Sequence, residues 1–277
     1  MKTYKVESSQ FTTNIIPIIA YILGLLWADG HVRPPYSVQL ATTYPDAEYF
    51  IPLFQKTGDW KHYDKEFPEH KTWKRACTIK TSNKILVNFL LEHDYKSKSQ
   101  ESADKILSII PEHLQYYWIR GLFDGDGHIY TDNKGSHRIS FASSYNQNWN
   151  YLETLCKTLN IEYNIHKEIR KNNKASGSVF TIYGMYRVIE FCNFMYNGFP
   201  HDQLGLQRKY NKLLELKATE ERNRYKGICQ RKNGKWLAYT SCAEGNKWKS
   251  LGLHLTKEEA LETVKNYYLT NSKCFLT

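Results

Sequence analysis

Cysteine is scarce in this chain of 277 residues and lies scattered, at Cys77, Cys156, Cys192, Cys229, Cys242 and Cys274, with no Cys-X-X-Cys pair. Such spacing offers neither a disulfide framework nor a thiolate zinc site and fits a reducing compartment. Long apolar runs are also missing. The nearest approach, Ile15 to Ala28, is shorter than the roughly 20 residues a bilayer span requires, contains Pro17 and runs straight into Asp29. It has neither a clear basic n-region nor a small-residue cleavage site, so it reads as a buried helix rather than a signal peptide or transmembrane segment. Acidic side chains are outnumbered, 28 Asp and Glu against 38 Lys and Arg, for a net charge of +10. That surplus points to a polyanionic partner without separating DNA from RNA or a membrane surface. General disorder is excluded by what is abundant: 41% hydrophobic and 14% aromatic residues, in a length that suits one large domain or two.

The most informative positive feature is an internal repeat. Gly24-Leu25-Leu26-Trp27-Ala28-Asp29-Gly30-His31-Val32 returns as Gly121-Leu122-Phe123-Asp124-Gly125-Asp126-Gly127-His128-Ile129, with Asp29 and Asp126 97 residues apart. Each copy follows a proline, Pro17 or Pro111, suited to a helix's first turn, and each ends in glycine, suited to a left-handed cap. Each copy therefore predicts a helix with an acid in its last turn. The downstream patterns match as well. After the first copy come strand-like pieces at Val38–Thr42, Trp60–Tyr63 and Trp73–Thr81, with helical patterns over Asp46–Gln55 and Asn83–Glu92. After the second come strands at His128–Tyr130 and Arg138–Ser143, a helix at Trp149–Leu159, a hairpin over Tyr163–Tyr183, and helices at Met185–Met195 and Leu206–Lys217. The expected fold is α+β, an α-β-β-α-β-β-α unit built twice with pseudo-twofold symmetry across residues 1–217, in repeats of about 15–108 and 109–217. Residues 218–224 read as a linker or the frayed end of a helix. Residues 225–277 read as a small three-stranded sheet with one helix, started by the capping box Thr256-Lys257-Glu258-Glu259.

If the two repeated helices pack together, Gly24 and Gly121 fall where a missing side chain lets backbones approach. Each glycine costs roughly 1 kcal/mol of helix stability relative to alanine, so a packing reason is expected. Asp29 and Asp126 then meet at two helix C-termini, a poor place for anions because of the helix dipole and their mutual repulsion. Divalent cations in the gap would make sense of it, and hard oxygen ligands favour Mg2+. A carboxylate pair holding metal beside a basic surface suits phosphodiester hydrolysis. The bland alternative makes each aspartate an ordinary polar residue before a capping glycine, and the matched context of two copies argues against it.

The motifs Ile22-Leu23-Gly24-Leu25-Leu26-Trp27-Ala28-Asp29-Gly30 and Ile119-Arg120-Gly121-Leu122-Phe123-Asp124-Gly125-Asp126-Gly127 resemble the paired motifs of single-chain LAGLIDADG homing endonucleases, over roughly Ile15 to Lys217. The resemblance implies a monomeric saddle of two antiparallel sheets over the DNA major groove, with the motif helices as its interface. It implies one catalytic, metal-binding acid per motif, Asp29 and Asp126, and magnesium-dependent double-strand cleavage leaving short 3′ overhangs. Trp27 departs from the pattern, which commonly has an acid there. Lys98 in Tyr95-Lys96-Ser97-Lys98-Ser99 and Lys209 in Leu206-Gln207-Arg208-Lys209-Tyr210 resemble the basic residues beside each active site, with solvated surface lysines as the alternative. Location follows the target DNA, cytoplasmic or elsewhere. Strand alternation nominates Ser37, Gln39, Arg138 and Ser140 for contact with DNA, with Trp73, Arg75 and Arg170 as further candidates, each equally readable as a solvated strand residue. His31 and His128 repeat too, and starting a strand beside the site is their plainer reading.

The order from Tyr225-Lys226-Gly227-Ile228 through Lys249-Ser250-Leu251-Gly252 to Thr256-Lys257-Glu258-Glu259-Ala260 resembles the ethylene-response-factor (Apetala-two type) DNA-binding domain. Cys229 and Ser241 stand where that family has arginines. Nine Lys and Arg against four Glu from Tyr225 onward leave +5, consistent with phosphate contact. Arg231, Lys235, Trp236, Tyr239 and Lys249 are the contact candidates, and packing between sheet and helix is an equal alternative for Trp236. The rival function is a non-cleaving nucleic-acid-binding protein on the same scaffold, an intron RNA-splicing maturase or a DNA-binding regulator.

Overall fold

A computed structural model describes residues 11, 14–66, 75–133, 135–169, 176–223, 227–241 and 248–270. The chain begins with α1 (Pro17–Ala28), β1 (Gly30–Arg33), β2 (Ser37–Thr43), α2 (Asp46–Gln55), β3 (Lys61–Lys65), β4 (Ala76–Thr81) and α3 (Lys84–Glu92). A short α4 (Asp104–Ile109), which the sequence patterns do not announce, joins the halves. The second half runs α5 (Gln115–Asp126), β5 (Gly127–Thr131), β6 (His137–Ser144), α6 (Asn150–Thr158), β7 (Asn164–Ile169), β8 (Ser176–Tyr183), α7 (Met185–Met195) and α8 (Gln207–Asn223). The antiparallel sheets have the same strand order, β1-β2-β4-β3 and β5-β6-β8-β7, as a duplicated α+β unit requires. Last come β9 (Ile228–Gln230), β10 (Trp236–Ser241), β11 (Trp248–His254) and α9 (Lys257–Thr270), which form a small three-stranded sheet with its own helix. The segment read as a linker is helical to Asn223, because α8 continues through it.

Alternation sets the inner face of each sheet. Val38, Leu40, Cys77 and Ile79 in the first, and Ile139, Phe141, Phe180 and Ile182 in the second, are all buried under the helices. Helix α1 is buried continuously from Ile19 to Trp27, which explains its apolar composition without any membrane. Among the described residues no helix is long and apolar enough to cross a membrane.

The two motif helices cross at their glycines. A Cβ on Gly24 would lie 2.0 Å from the carbonyl oxygen of Trp118, and one on Gly121 2.0 Å from that of Tyr21. Each helix thus offers a glycine to the same relative carbonyl of the other, and the pseudo-twofold axis passes between them. The capping glycines correct the expected reason for their presence. Gly127 is extended, with φ −89° and ψ 152°, and a Cβ there would lie 2.0 Å from Phe123 Cδ2. Gly30 similarly has no room beside the carbonyl of Leu26. Space, not a left-handed backbone, demands glycine at both. Pro17 occupies the first turn of α1 as expected, whereas Pro111 precedes a 3-10 turn (Glu112–Leu114) that leads into α5.

Candidate active site and nucleic-acid interface

Close packing of α1 against α5 brings their C-terminal ends together. A Cβ on Gly125 would sit 2.3 Å from the Cβ of Ala28 and 3.3 Å from Asp29 Oδ2, so the Asp29 carboxylate lies directly against the backbone that precedes Asp126. Asp29 is open to solvent on one side and Asp126 is half-buried. Burial raises the Asp126 carboxyl to about 7, with the adjacent Asp29 charge adding to it. Burial raises Asp29 too, opposed by the charges of Lys98 and Lys209.

The four residues expected at the site converge, but the lysines are engaged in a way the sequence does not reveal. Lys98 Nζ donates to the carbonyls of Leu26 (3.1 Å) and Ala28 at the end of α1. Lys209 Nζ donates to those of Phe123 (2.6 Å), Asp124 (3.0 Å) and Gly127 (2.7 Å) at the end of α5. Each ammonium therefore caps a motif helix, adding a charged donor to carbonyls of its last turn and opposing the negative end of the dipole. That offsets the electrostatic penalty of placing aspartates there. Burial lowers both lysines to about 8, and neighbouring aspartates pull the other way: Asp126 and Asp29 for Lys98, Asp124 foremost for Lys209.

The delivery of the two lysines differs. Tyr95 Oη donates to the carbonyl of Leu23 (2.9 Å), anchoring the turn that carries Lys98 within its own repeat. In the second repeat Arg120 replaces that apolar position. Fully buried, it donates to the carbonyls of Met195 (2.9 Å), Asn197 (2.6 Å) and Leu204 (2.7 Å) and grips Asp202 with Nη1 at 3.0 and 2.9 Å. Asp124, which stands where the first motif has Trp27, is likewise buried and accepts from Tyr21 Oη (2.6 Å) and the Leu206 amide (2.8 Å). Sequence reasoning passed over Arg120 and Asp124; polar residues inside an otherwise apolar motif are the signal that could have found them.

With both ammonium groups turned to carbonyls, neither the Asp29 nor the Asp126 carboxylate has a hydrogen bond or ion pair among the described residues. Two adjacent carboxylates with free lone pairs, one of them raised by burial with the other's charge adding to it, fit a hard divalent cation. Magnesium, which is bound through one or two carboxylates and retains several waters, matches such a donor set. Among the described residues no cluster of three or more His, Cys, Asp or Glu forms a complete metal cage.

The open faces of the sheets carry corresponding cross-strand rows. In the first, His31, Gln39, Lys80 and Lys61 lie opposite one another across four strands. In the second the row is His128, Ser140, Thr181 and Asn164, of which Thr181 is buried. Gln39 and Ser140 are half-buried and Arg138 is exposed, its guanidinium 4.7 Å from the Tyr130 ring. Lys80 and Lys61 were not foreseen, although alternation in β4 points Lys80 away from buried Cys77 and Ile79. Ser37 corrects the expectation. It is 1% exposed, since two consecutive residues, Ser37 and Val38, are buried where β2 leaves the turn. Arg75 is exposed but occupied, donating to Asp64 Oδ2 at 2.6 Å and lying 4.5 Å over the Tyr44 ring. Trp73 and Arg170 lie outside the described residues.

In the small domain, Ala238 and Thr240 are buried, so the helix covers their face of β10. Trp236 shares it, half-buried and packed on the Ile228, Ala238, Ala260 and Val264 cluster with Lys257 Nζ 5.6 Å above its ring. Lys249 pairs with Thr240 and its ammonium sits 5.0 Å from the Tyr267 ring of α9, again on the helix side. Tyr239 occupies the other face, its ring tilted at 41° against Trp248 with centroids 4.3 Å apart, and Trp248 is 68% exposed. Arg231 and Lys235 are exposed at the β9–β10 turn. The domain is fastened to the second repeat by Arg187 Nε donating to the carbonyl of Leu269 (2.8 Å) and by a Tyr186–Tyr268 stack at 5.7 Å.

Comparison with known proteins places a LAGLIDADG-like domain at residues 114–194, from the start of the second motif helix almost to the end of α7. An uncharacterized protein of Methanocaldococcus jannaschii is 27% identical over 179 residues; the match covers 61% of this chain and 63% of that protein, so it spans less than two thirds of the relative. Among solved structures, mesophilic variants from the homing endonuclease I-DmoI align with a TM-score of 0.42 at 19% identity, covering 65% of this chain and 95% of theirs. I-DmoI in complex with DNA and Ca aligns at 0.44 and 19%, covering 74% and 97%. The N-terminal LAGLIDADG domain of DUF199/WhiA aligns at 0.41 and 16%, covering 76% and 97%.

Proposed function

We propose that this chain is a monomeric, site-specific double-stranded DNA endonuclease of homing type, cutting by metal-dependent phosphodiester hydrolysis and leaving short 3′ overhangs. The observation that carries the reading is the meeting of two unpartnered carboxylates, Asp29 and Asp126, at the ends of two helices capped by Lys98 and Lys209. The LAGLIDADG-like domain at 114–194 supports a nuclease or nucleic-acid-binding role. A protein that merely binds nucleic acid has no use for two clustered anions facing the phosphate backbone, and this favours cleavage over the maturase or regulator alternative.

Asp29 and Asp126 would hold the divalent cation, magnesium first among candidates; when bound it polarises the scissile phosphate and acidifies the attacking water. The protein's own contribution is charge placement. Of its three ammonium hydrogens Lys98 uses two, leaving one to reach a phosphate oxygen, whereas Lys209 uses all three and acts through its field. The rows beginning at His31 and His128 face the groove and meet base edges, with Gln39, Lys80, Arg138 and Ser140 as readers. The C-terminal domain, of Apetala-two type, adds affinity through Arg231, Lys235 and the Tyr239–Trp248 face.

The deciding experiment is a cleavage selection on a randomised DNA library with Mg2+. The expected result is one recurring cut site with short 3′ overhangs, lost in Asp29→Asn and Asp126→Asn while binding to the same DNA survives. Full-rate cutting by either variant would remove the assignment.

A further inference from the structure

The segment from Phe199 to Arg208 bridges α7 and α8 without regular structure over most of its length, and it delivers Lys209 to the site. It is held by residues from both repeats. Tyr49, on α2 of the first repeat, donates from Oη to the carbonyl of Gln203 (2.7 Å) and accepts from the Gly205 amide (2.7 Å). Gln203 has a left-handed backbone, φ 54°, which a non-glycine residue keeps only where its surroundings hold it. Asp46, in the first turn of the same helix, takes Nε (2.8 Å) and Nη2 of Arg208, the residue before Lys209. That carboxylate also sits at the positive end of the α2 dipole, a favourable place for an acceptor of the Arg208 bonds.

We infer that α2 of the first repeat positions Lys209 in the second repeat's half of the site, with Tyr49 and Asp46 as positioning residues. The Lys98 turn has different holders: Tyr95 anchors it to α1 of the same repeat, and Ser144 Oγ of the second repeat donates to the carbonyl of Ser99 (2.8 Å), so α2 does not carry it. The consequence is a coupling from α2 to the opposite half of the site. Disturbing α2 displaces Lys209 and leaves Lys98 in place. A lysine with all three donors committed to three carbonyls tolerates little displacement, so a small shift of the segment is felt at once. The inference rests on the nuclease reading only for its effect on cleavage, not for the position of Lys209 itself.

The test uses the full chain as Tyr49→Phe and, separately, Asp46→Asn. Trace acetylation read by mass spectrometry compares Lys209 with Lys98 in the same molecule. Both variants should raise Lys209 labelling several-fold with Lys98 unchanged. An unchanged ratio in both, or an equal rise at both lysines, overturns the inference, the latter because it reports general loosening. On a target recovered from the library selection, single-turnover cutting of one strand should slow about tenfold while the other strand and DNA affinity hold. Equal slowing of both strands overturns the coupling. If the unaltered chain cuts no sequence, the nuclease reading fails, and the acetylation ratio still decides whether α2 positions Lys209.

Discussion

Asp126→Asn should stabilise the chain while destroying its activity. In the folded protein this carboxyl releases its proton near pH 7, against an ordinary value of 3.8, because it is buried beside Asp29. The folded state therefore binds the proton more tightly than the unfolded state does. Stability falls as pH rises from about 4 to 7 and stays at its lower level above that. A proton held that much more tightly corresponds to about 4 kcal/mol. Solvent reaches this half-buried group and Asp29 shares the interaction, so about half of that, ~2 kcal/mol, is the figure to expect at pH 8. For a chain of this length that is roughly 4 °C in Tm. The assay is thermal unfolding of both proteins in EDTA at pH 5 and pH 8. The variant should gain at pH 8 and much less at pH 5, and Mg2+ should raise the Tm of the unaltered protein but not of the variant. A variant less stable than its parent at pH 8 without metal would refute the electrostatic argument.

Gly24→Ala and Gly121→Ala should each cost about 2 kcal/mol, the overpacking of a Cβ 2.0 Å from a carbonyl outweighing the gain in helix propensity; matched urea midpoints would report the twofold symmetry of the crossing. Arg120→Met strands Asp202 and three carbonyls in the interior and should cost about 3–5 kcal/mol by the same measurement. Lys98→Met should slow cutting without weakening DNA binding, read as single-turnover rate against affinity. Trp248→Ala with Tyr239→Ala should weaken DNA binding and leave Tm unchanged, because both side chains stand on the uncovered face of their sheet.

The duplicated fold was legible because the same order repeats: a motif helix ending in Asp-Gly, then alternating strands. Convergence of Asp29, Asp126, Lys98 and Lys209 was legible through the motif pair. The role of the lysines as helix caps was not, since only the fold reveals which carbonyls a distant ammonium can reach. Trp236 was ambiguous for a physical reason: Trp236 and Ala238 alternate with Leu237 and Tyr239, so both faces of β10 are apolar and composition cannot say which one α9 covers. Ser37 misled because alternation holds inside a strand and fails at its mouth, where the turn covers one extra residue. At Gly30 and Gly127 the residue was right and the reason wrong; lack of space and a left-handed backbone both select glycine, and sequence cannot separate them.

The two open-face rows have drifted apart while the seam between the repeats has not. Two lysines end the row in the first sheet, where the second has threonine and asparagine. Two identical subunits would be bound to a palindrome. On the proposed reading, a single chain with unlike faces is released from that constraint, its first row offering two lysines to the DNA where the second offers only neutral side chains. Raising salt should therefore loosen the two arms unequally, so that the same duplex is held at one end longer than at the other.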